Sequence, residues 1–255
     1  MRIGQIVPSS NTTMETEIPA ILRNRERIRP NETFTFHSSR MRMKKVTKAE
    51  LEAMDRDSLR CAAELADAAV DVVGYACLVA IMSMGRGYHL TSQAALLQRM
   101  QDEGHAAPVV TSAGALVDEL KLAGVGSIAL LTPYMPELTA LVVDYISDQG
   151  IRVVDSVSLS IPDNLAVGRR DPLALLNDVE RLSTRGADLV VISACVQMPS
   201  LPAIPLLEQK LGMPVTSAAV CTTRSLLRAL NLEPIAPDAG FILSEANRAS
   251  GSAAR

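Results

Sequence analysis

Val70-Asp71-Val72-Val73-Gly74-Tyr75-Ala76-Cys77 and Asp188-Leu189-Val190-Val191-Ile192-Ser193-Ala194-Cys195 follow one pattern, 118 residues apart. Each is an apolar run of strand length, then a small or polar residue, then Ala-Cys. Runs of this kind mark parallel strands covered by helices on both faces. Two more elements recur in the same order. Upstream, Ile3–Val7 closing on Pro8 matches Ile128–Thr132 closing on Pro133. Downstream, Pro108-Val109-Val110-Thr111-Ser112-Ala113 matches Pro214-Val215-Thr216-Ser217-Ala218 with one residue dropped. A single match would be weak, but three in order make an internal repeat.

Working outward, Ile151–Ser156 is a further strand-like run, and helices are expected at about Ala113–Ala123, Pro136–Gln149, Pro172–Thr184 and Ala219–Leu230. Gly124 and Gly150 fall where helices end on glycine. Thr12-x-x-Glu15 and Thr47-x-x-Glu50 have the form of capping boxes. The second opens a helix to about Ala69, with Leu51, Met54, Cys61 and Leu65 on one face and Ser58 in the gap. This alternation predicts an α/β fold of two similar doubly wound lobes. Their parallel sheets would be related by a pseudo-twofold axis, with the active site in the cleft between them. Residues 1–112 with 218–255 are expected to form the first lobe and 113–217 the second, the last helix packing back on the first. Ligands of such sheets bind beyond the carboxyl ends of the strands. Cys77 and Cys195 both lie there, so the repeat sets them on opposite walls of one cleft.

The bulk composition narrows the function. The chain has 255 residues, 48% hydrophobic and 21% charged, with a net charge of −3, long enough for one large or two small cores. The weak negative charge gives no reason to expect nucleic acid or an anionic membrane as partner. No Trp and 3% aromatics argue against a base-stacking surface. The start reads as a strand rather than a signal peptide, and no apolar stretch reaches about 18 residues, so no membrane span is expected; the cytoplasm is the expected compartment. The three histidines lack metal-ligand spacing to a cysteine or to each other, so no metal is expected. No glycine-rich phosphate loop follows a strand, so no nucleotide or other cofactor is expected.

Four cysteines occur, at 61, 77, 195 and 221, none in a Cys-x-x-Cys pair. Cys61, mid-helix on the apolar face, and Cys221, on an Ala-rich helix start, read as core residues. A lone Cys77 or Cys195 would read the same way; recurrence at equivalent strand ends marks this pair as reactive. Pro8-Ser9-Ser10-Asn11-Thr12-Thr13 enters a helix and is richer in capping residues than one cap requires. Free N–H groups there, with the Asn11 amide, form a carboxylate-sized anion site. Its counterpart in the second half is Thr132-Pro133-Tyr134-Met135-Pro136, where Tyr134 has a hydroxyl to donate. Asn164, in Ile161-Pro162-Asp163-Asn164-Leu165, reads by itself as a turn residue. Two opposed thiols can work a trigonal carbon from both sides, one as nucleophile and one moving a proton. No His, Lys or Arg adjoins either cysteine, so backbone N–H groups and helix dipoles must favour the thiolate. The same donors suit a small dicarboxylate.

Val7-Pro8-Ser9-Ser10-Asn11-Thr12-Thr13-Met14-Glu15, Gly74-Tyr75-Ala76-Cys77-Leu78-Val79-Ala80, Ser193-Ala194-Cys195-Val196-Gln197-Met198 and Ile161-Pro162-Asp163-Asn164-Leu165 together resemble bacterial maleate cis–trans isomerases of the aspartate/glutamate racemase superfamily. The resemblance runs from Arg2 to about Ser244. It implies that Cys77 adds to the alkene carbon of maleate as nucleophile, giving a succinyl-thioether whose carbon–carbon axis can rotate. Cys195 would donate and remove the proton on the opposite face. Asn11, Tyr134 and Asn164 would bind the carboxylates, with backbone groups of Leu78, Val79, Val196 and Gln197 completing two anion cradles. A homodimer and a place in nicotinate breakdown are implied as well.

Rival readings remain, two of them enzymes and one not. An amino-diacid racemase would use the same two cysteines, but resembles Cys-Asn-Thr where this chain has Cys77-Leu-Val and Cys195-Val-Gln. It would also want an acidic group near the first loop to receive an ammonium, and Glu15 is expected inside the helix. A related arylmalonate decarboxylase would need one cysteine only. The other rival is a non-catalytic two-lobed binding protein for small acids, which needs no reactive thiol.

Overall fold

The structure, a computed structural model, describes residues 1–44 and 48–247. The first half of the chain runs β1 (Arg2–Pro8), α1 (Met14–Glu26), β2 (Thr35–Met41), α2 (Lys48–Asp67), β3 (Val72–Tyr75), α3 (Leu78–Ser83), α4 (Tyr88–Asp102), β4 (Val109–Thr111) and α5 (Ser112–Leu122). The second runs β5 (Ser127–Thr132), α6 (Pro136–Asp148), β6 (Arg152–Ser158), α7 (Asn164–Gly168), α8 (Leu175–Asp178), β7 (Leu189–Ser193), α9 (Ile204–Leu211), β8 (Val215–Ser217) and α10 (Ala218–Ala229). Two four-stranded sheets result, ordered β2-β1-β3-β4 and β6-β5-β7-β8, with every pairing parallel. The three recurring runs are β1 and β5, β3 and β7, and β4 and β8, so the repeat in sequence is a repeat in topology. The lobes are an α/β pair, as expected.

The reason lies in burial. β1 from Ile3, β3, β5 and β7 are buried along their whole length, because helices cover both faces of the parallel sheets. β2 differs: it is an edge strand, and Thr35-Phe-His-Ser-Ser-Arg-Met41 alternates partly exposed and buried residues. In α2, Leu51, Met54, Ser58, Cys61 and Leu65 are all buried, so the imperfect stripe is a real packing face. Gly124 and Gly150 have φ of 72° and 83° at the ends of α5 and α6, the left-handed turn that glycine adopts without a Cβ penalty.

Two local expectations change, and a third falls outside the described residues. Thr12 and Glu15 form no capping box. The cap of α1 is Asn11, whose Oδ1 accepts from the N–H groups of Thr13 (2.9 Å) and Met14 (3.0 Å), while Glu15 pairs with Arg40. Thr47 of the second pattern lies outside the described residues; Glu50 accepts from the Lys44 N–H at 2.6 Å. Pro172–Thr184 is not one helix but 3₁₀ turns at Pro172–Ala174 and Val179–Arg181 flanking α8. Its buried Leu175, Val179 and Leu182 nevertheless keep helical spacing.

The halves meet along two seams. α5 and α10 occupy the same place in the two repeats and pack against each other, and α10 also rests on β3, β4 and α1. α5 lies against β4, α3 and α4. Elsewhere α6 packs on α3, with Tyr145 Oη 2.5 Å from Nδ1 of buried His89 and Arg86 paired to Asp144 and Asp148. No described helix is long and apolar enough to cross a membrane.

Candidate active site

Equivalent backbone geometry sets the two cysteines in place. Past the end of β3, the Ala76 N–H donates to Ile6 O of β1 at 3.0 Å. Past β7, the Ala194 N–H donates to Leu131 O of β5 at 3.1 Å. Each bond extends the ladder one step and turns the next residue, Cys77 or Cys195, out at the carboxyl edge of its sheet. Both face one narrow slot, lined by Asn11, Cys77, Leu78, Val79, Tyr134, Asn164, Cys195, Val196 and Gln197, with Pro8 and Met43 closing it. All nine residues singled out in the sequence therefore meet. Pro8 and Met43 were not singled out. Met43, 3% exposed, follows an edge strand and carries no pattern that would mark it. Among the described residues no group of three or more His, Cys, Asp or Glu is placed to hold a metal ion.

A larger hollow lies elsewhere, lined by residues such as Ile28, Pro205, Met213, Ile235 and Phe241. It has no cysteine, and Oε1 of its Glu208 is taken by the N–H groups of Val215 and Phe241. Chemistry, not volume, singles out the slot.

The two thiols are surrounded differently. Cys77 caps α3 with φ 100° and ψ 75°, a left-handed conformation that costs a non-glycine residue about 1–3 kcal/mol. Burial pushes its thiol up to about 12; the Ala80 N–H opposes this, and the nearby Cys195 adds to it. Burial also raises Cys195, opposed by three donors: the Tyr134 hydroxyl and the N–H groups of Gln197 and Met198. Tyr134 itself is pushed well above its ordinary range, first by burial and then by the two sulfurs, so it stays a donor. Its hydroxyl also lies 3.3 Å from Ala194 O. Burial thus disfavours the thiolate at both sulfurs, and a thiolate of raised pKa is a strong nucleophile once formed.

The polar residues serve two purposes at once. The Asn11 Oδ1 is consumed in capping α1, which fixes the amide so that its Nδ2 is left for the slot. Asn164 donates from Nδ2 to Ser10 Oγ at 2.8 Å, across the cleft. The Gln197 side chain bridges the lobes: Nε2 donates to Ser10 O (3.0 Å) and Asn164 O (2.8 Å), and Oε1 accepts from the Thr12 N–H (2.8 Å). A Cβ on Gly168 would lie 2.5 Å from Gln197 Nε2 and 2.7 Å from Thr12 Oγ1, so only glycine permits this closure.

A family-wide sequence profile described as arylmalonate decarboxylase matches residues 3–243. A maleate isomerase from Pseudomonas putida is 60% identical over 245 residues, covering 96% of this chain and 98% of the relative. The crystal structure of a cysteine-to-alanine variant of the maleate isomerase from Pseudomonas putida S16, with maleate, superposes with a TM-score of 0.94 at 56% identity, over 96% of this chain and 98% of that one. A cysteine-to-serine variant of the Nocardia farcinica maleate cis–trans isomerase, carrying a covalently bound succinylcysteine intermediate, superposes with a TM-score of 0.91 at 42% identity, over 96% and 98% of the two chains.

Proposed function

This chain belongs to the arylmalonate decarboxylase family and to the maleate isomerases that share its fold, and from that premise we propose how its slot works. It is a cis–trans isomerase that turns maleate into fumarate without a cofactor, through a cysteine adduct. The Cys77 thiolate attacks one alkene carbon and forms the C–S bond. The π pair moves to the neighbouring carbon and takes the proton of Cys195, leaving the charge on that sulfur. The former double bond is now single and rotates, relieving the repulsion of two cis carboxylates. The Cys195 thiolate then removes a proton from the same carbon, the double bond re-forms, and Cys77 leaves as thiolate. Atoms and charge balance over the cycle, so nothing needs to be regenerated.

One observation supports this reading above others: two thiols face a single slot from opposite lobes, with one backbone N–H at the Cys77 sulfur and two at that of Cys195. The donors around Cys195 suit the residue that carries the negative charge while the adduct exists. Asn11, Tyr134 and Asn164 hold the two carboxylates, with backbone groups of Leu78, Val79, Val196 and Gln197. The racemase reading is disfavoured because, among the described residues, no acidic side chain lines the slot to receive an ammonium. Glu15 is bound to Arg40, and Glu17 faces Ser200 and Leu201. The enclosed space is about 20 Å³, room for about one water, so a four-carbon diacid enters only when the walls part.

Incubating the purified protein with maleate under reducing conditions, without cofactors, should give fumarate by proton NMR; its absence overturns the assignment. A Cys195→Ser variant should accumulate a succinyl adduct on Cys77 by mass spectrometry, and an adduct on Cys195 in wild-type protein alone would reverse the roles. The proposal extends to a cytoplasmic homodimer serving nicotinate breakdown; light scattering at the mass of one chain would remove the dimer from it.

A further inference from the structure

The chain beyond the two cysteines is built in two ways. After Cys77 it enters α3 at once, and the helix's own hydrogen bonds hold the Ala80 N–H at the sulfur. After Cys195 there is no helix. Pro199 follows Met198, and a residue before proline is driven out of the helical region. The segment Cys195-Val196-Gln197-Met198-Pro199-Ser200 is therefore a turn, yet it must present two N–H groups to Cys195 Sγ. Side chains hold it instead. Ser193 Oγ donates to Cys195 O (2.8 Å) and Met198 O (3.2 Å) on the upstream side. The downstream end is gripped from the other lobe by one buried carboxylate. Glu17, on the first turns of α1, accepts from the N–H groups of Ser200 (2.5 Å) and Leu201 (2.6 Å) through Oε1 and from Ser200 Oγ (3.2 Å) through Oε2. It is 7% exposed and Ser200 is fully buried.

From this geometry we propose that Glu17 is a positioning residue: its carboxylate fixes the turn after Cys195, and with it the Gln197 and Met198 N–H groups that serve the Cys195 sulfur. Burial acts against the charge of Glu17, and its three donors act for it, as expected of charge-assisted bonds in a dry site. α1 thereby organises both halves of the slot. Its N-terminal cap fixes Asn11, and one turn further on Glu17 fixes the Cys195 loop. The inference rests on Cys195 being the group that moves the proton.

Glu17→Gln keeps the size and replaces one acceptor oxygen by an N–H₂ facing donors. We expect kcat to fall about 100-fold, the order of loss for a misplacement of about 1 Å at a reacting group, with KM changed little. Iodoacetamide alkylation, mapped by peptide mass spectrometry against pH, should show the Cys195 profile moved to higher pH and that of Cys77 unmoved. Equal slowing of both cysteines, or an unaltered Cys195 profile, overturns the proposal. Ser200→Ala, which removes one of the three donors, should move Cys195 the same way by a smaller amount, and decides the matter if Glu17→Gln does not fold. Because alkylation needs no turnover, a selective shift at Cys195 in a protein inactive on maleate would uphold the positioning role while rejecting the isomerase reading.

Discussion

Cys77 and Cys195 occupy the same place in two copies of one topology, and their surroundings diverge from the first residue onward. Cys77 sits in a left-handed conformation with one N–H at its sulfur. Cys195 has no positive φ and receives a phenol hydroxyl and two N–H groups. The repeated topology accounts for the opposed placement, and the unequal donors support the division of labour proposed above. Burial pushes the Cys77 thiol up to about 12, and a thiolate of high pKa is a strong nucleophile once formed. The thiol with three donors is suited to holding charge between two proton transfers.

The comparison breaks most sharply at Cys77, the proposed nucleophile. Cys77→Ser should lower turnover by about 10⁴-fold or more, measured as fumarate formed from maleate. An equal loss in Cys195→Ser is compatible, provided the Cys77 adduct accumulates in that variant. Tyr134→Phe removes one of the three donors of Cys195 and should lower kcat by about 100-fold. Alkylation of Cys195 should slow with it and that of Cys77 should not; if both slow equally, Tyr134 serves the slot as a whole.

Titration sharpens the contrast further. A pKa of about 12 for Cys77 lies above the ordinary thiol value, so the reactive anion is scarce at neutral pH and grows as pH rises. Its alkylation rate should climb about tenfold per pH unit, with no plateau up to pH about 10; a plateau near the ordinary thiol pKa would show that burial does not govern it. The smallest effect concerns the backbone. Glycine at 77 relieves the positive φ, and glycine at 195 relieves nothing. Cys77→Gly should therefore be less destabilising than Cys195→Gly by about 1 kcal/mol in urea unfolding, and equal losses would deny the strain.

Much of this was written in local sequence. The buried central strands must be apolar throughout, so β1, β3, β5 and β7 announced themselves, and the repeat joined them into two lobes. Cys77, Cys195, Asn11 and Tyr134 stand at strand ends or helix starts, where the fold brings ligands, and so were legible from the residues; Leu78, Val79, Asn164, Val196 and Gln197 were reached only through the family resemblance. Elements with mixed burial were not. β2 is an edge strand of ordinary polarity, and α4 buries His89 and Ser92 beside Leu96 and Met100, which blurs its apolar stripe. The Thr12–Glu15 pattern misled because Asn11, one residue earlier, caps the helix start instead, accepting from the Thr13 and Met14 N–H groups.

The sequence by itself determined that two thiols close two equivalent strands of an α/β repeat, since burial and strand length are recorded residue by residue. Only the tertiary structure decided which donors reach each sulfur. Glu17 meets Ser200 across 183 positions and Gln197 meets Thr12 across 185, and such bonds exist only once the lobes have packed. A hydrogen bond depends on distances of a few tenths of an ångström. No local pattern encodes that, so the pairing of the cysteines was readable while their inequality was left to the packing.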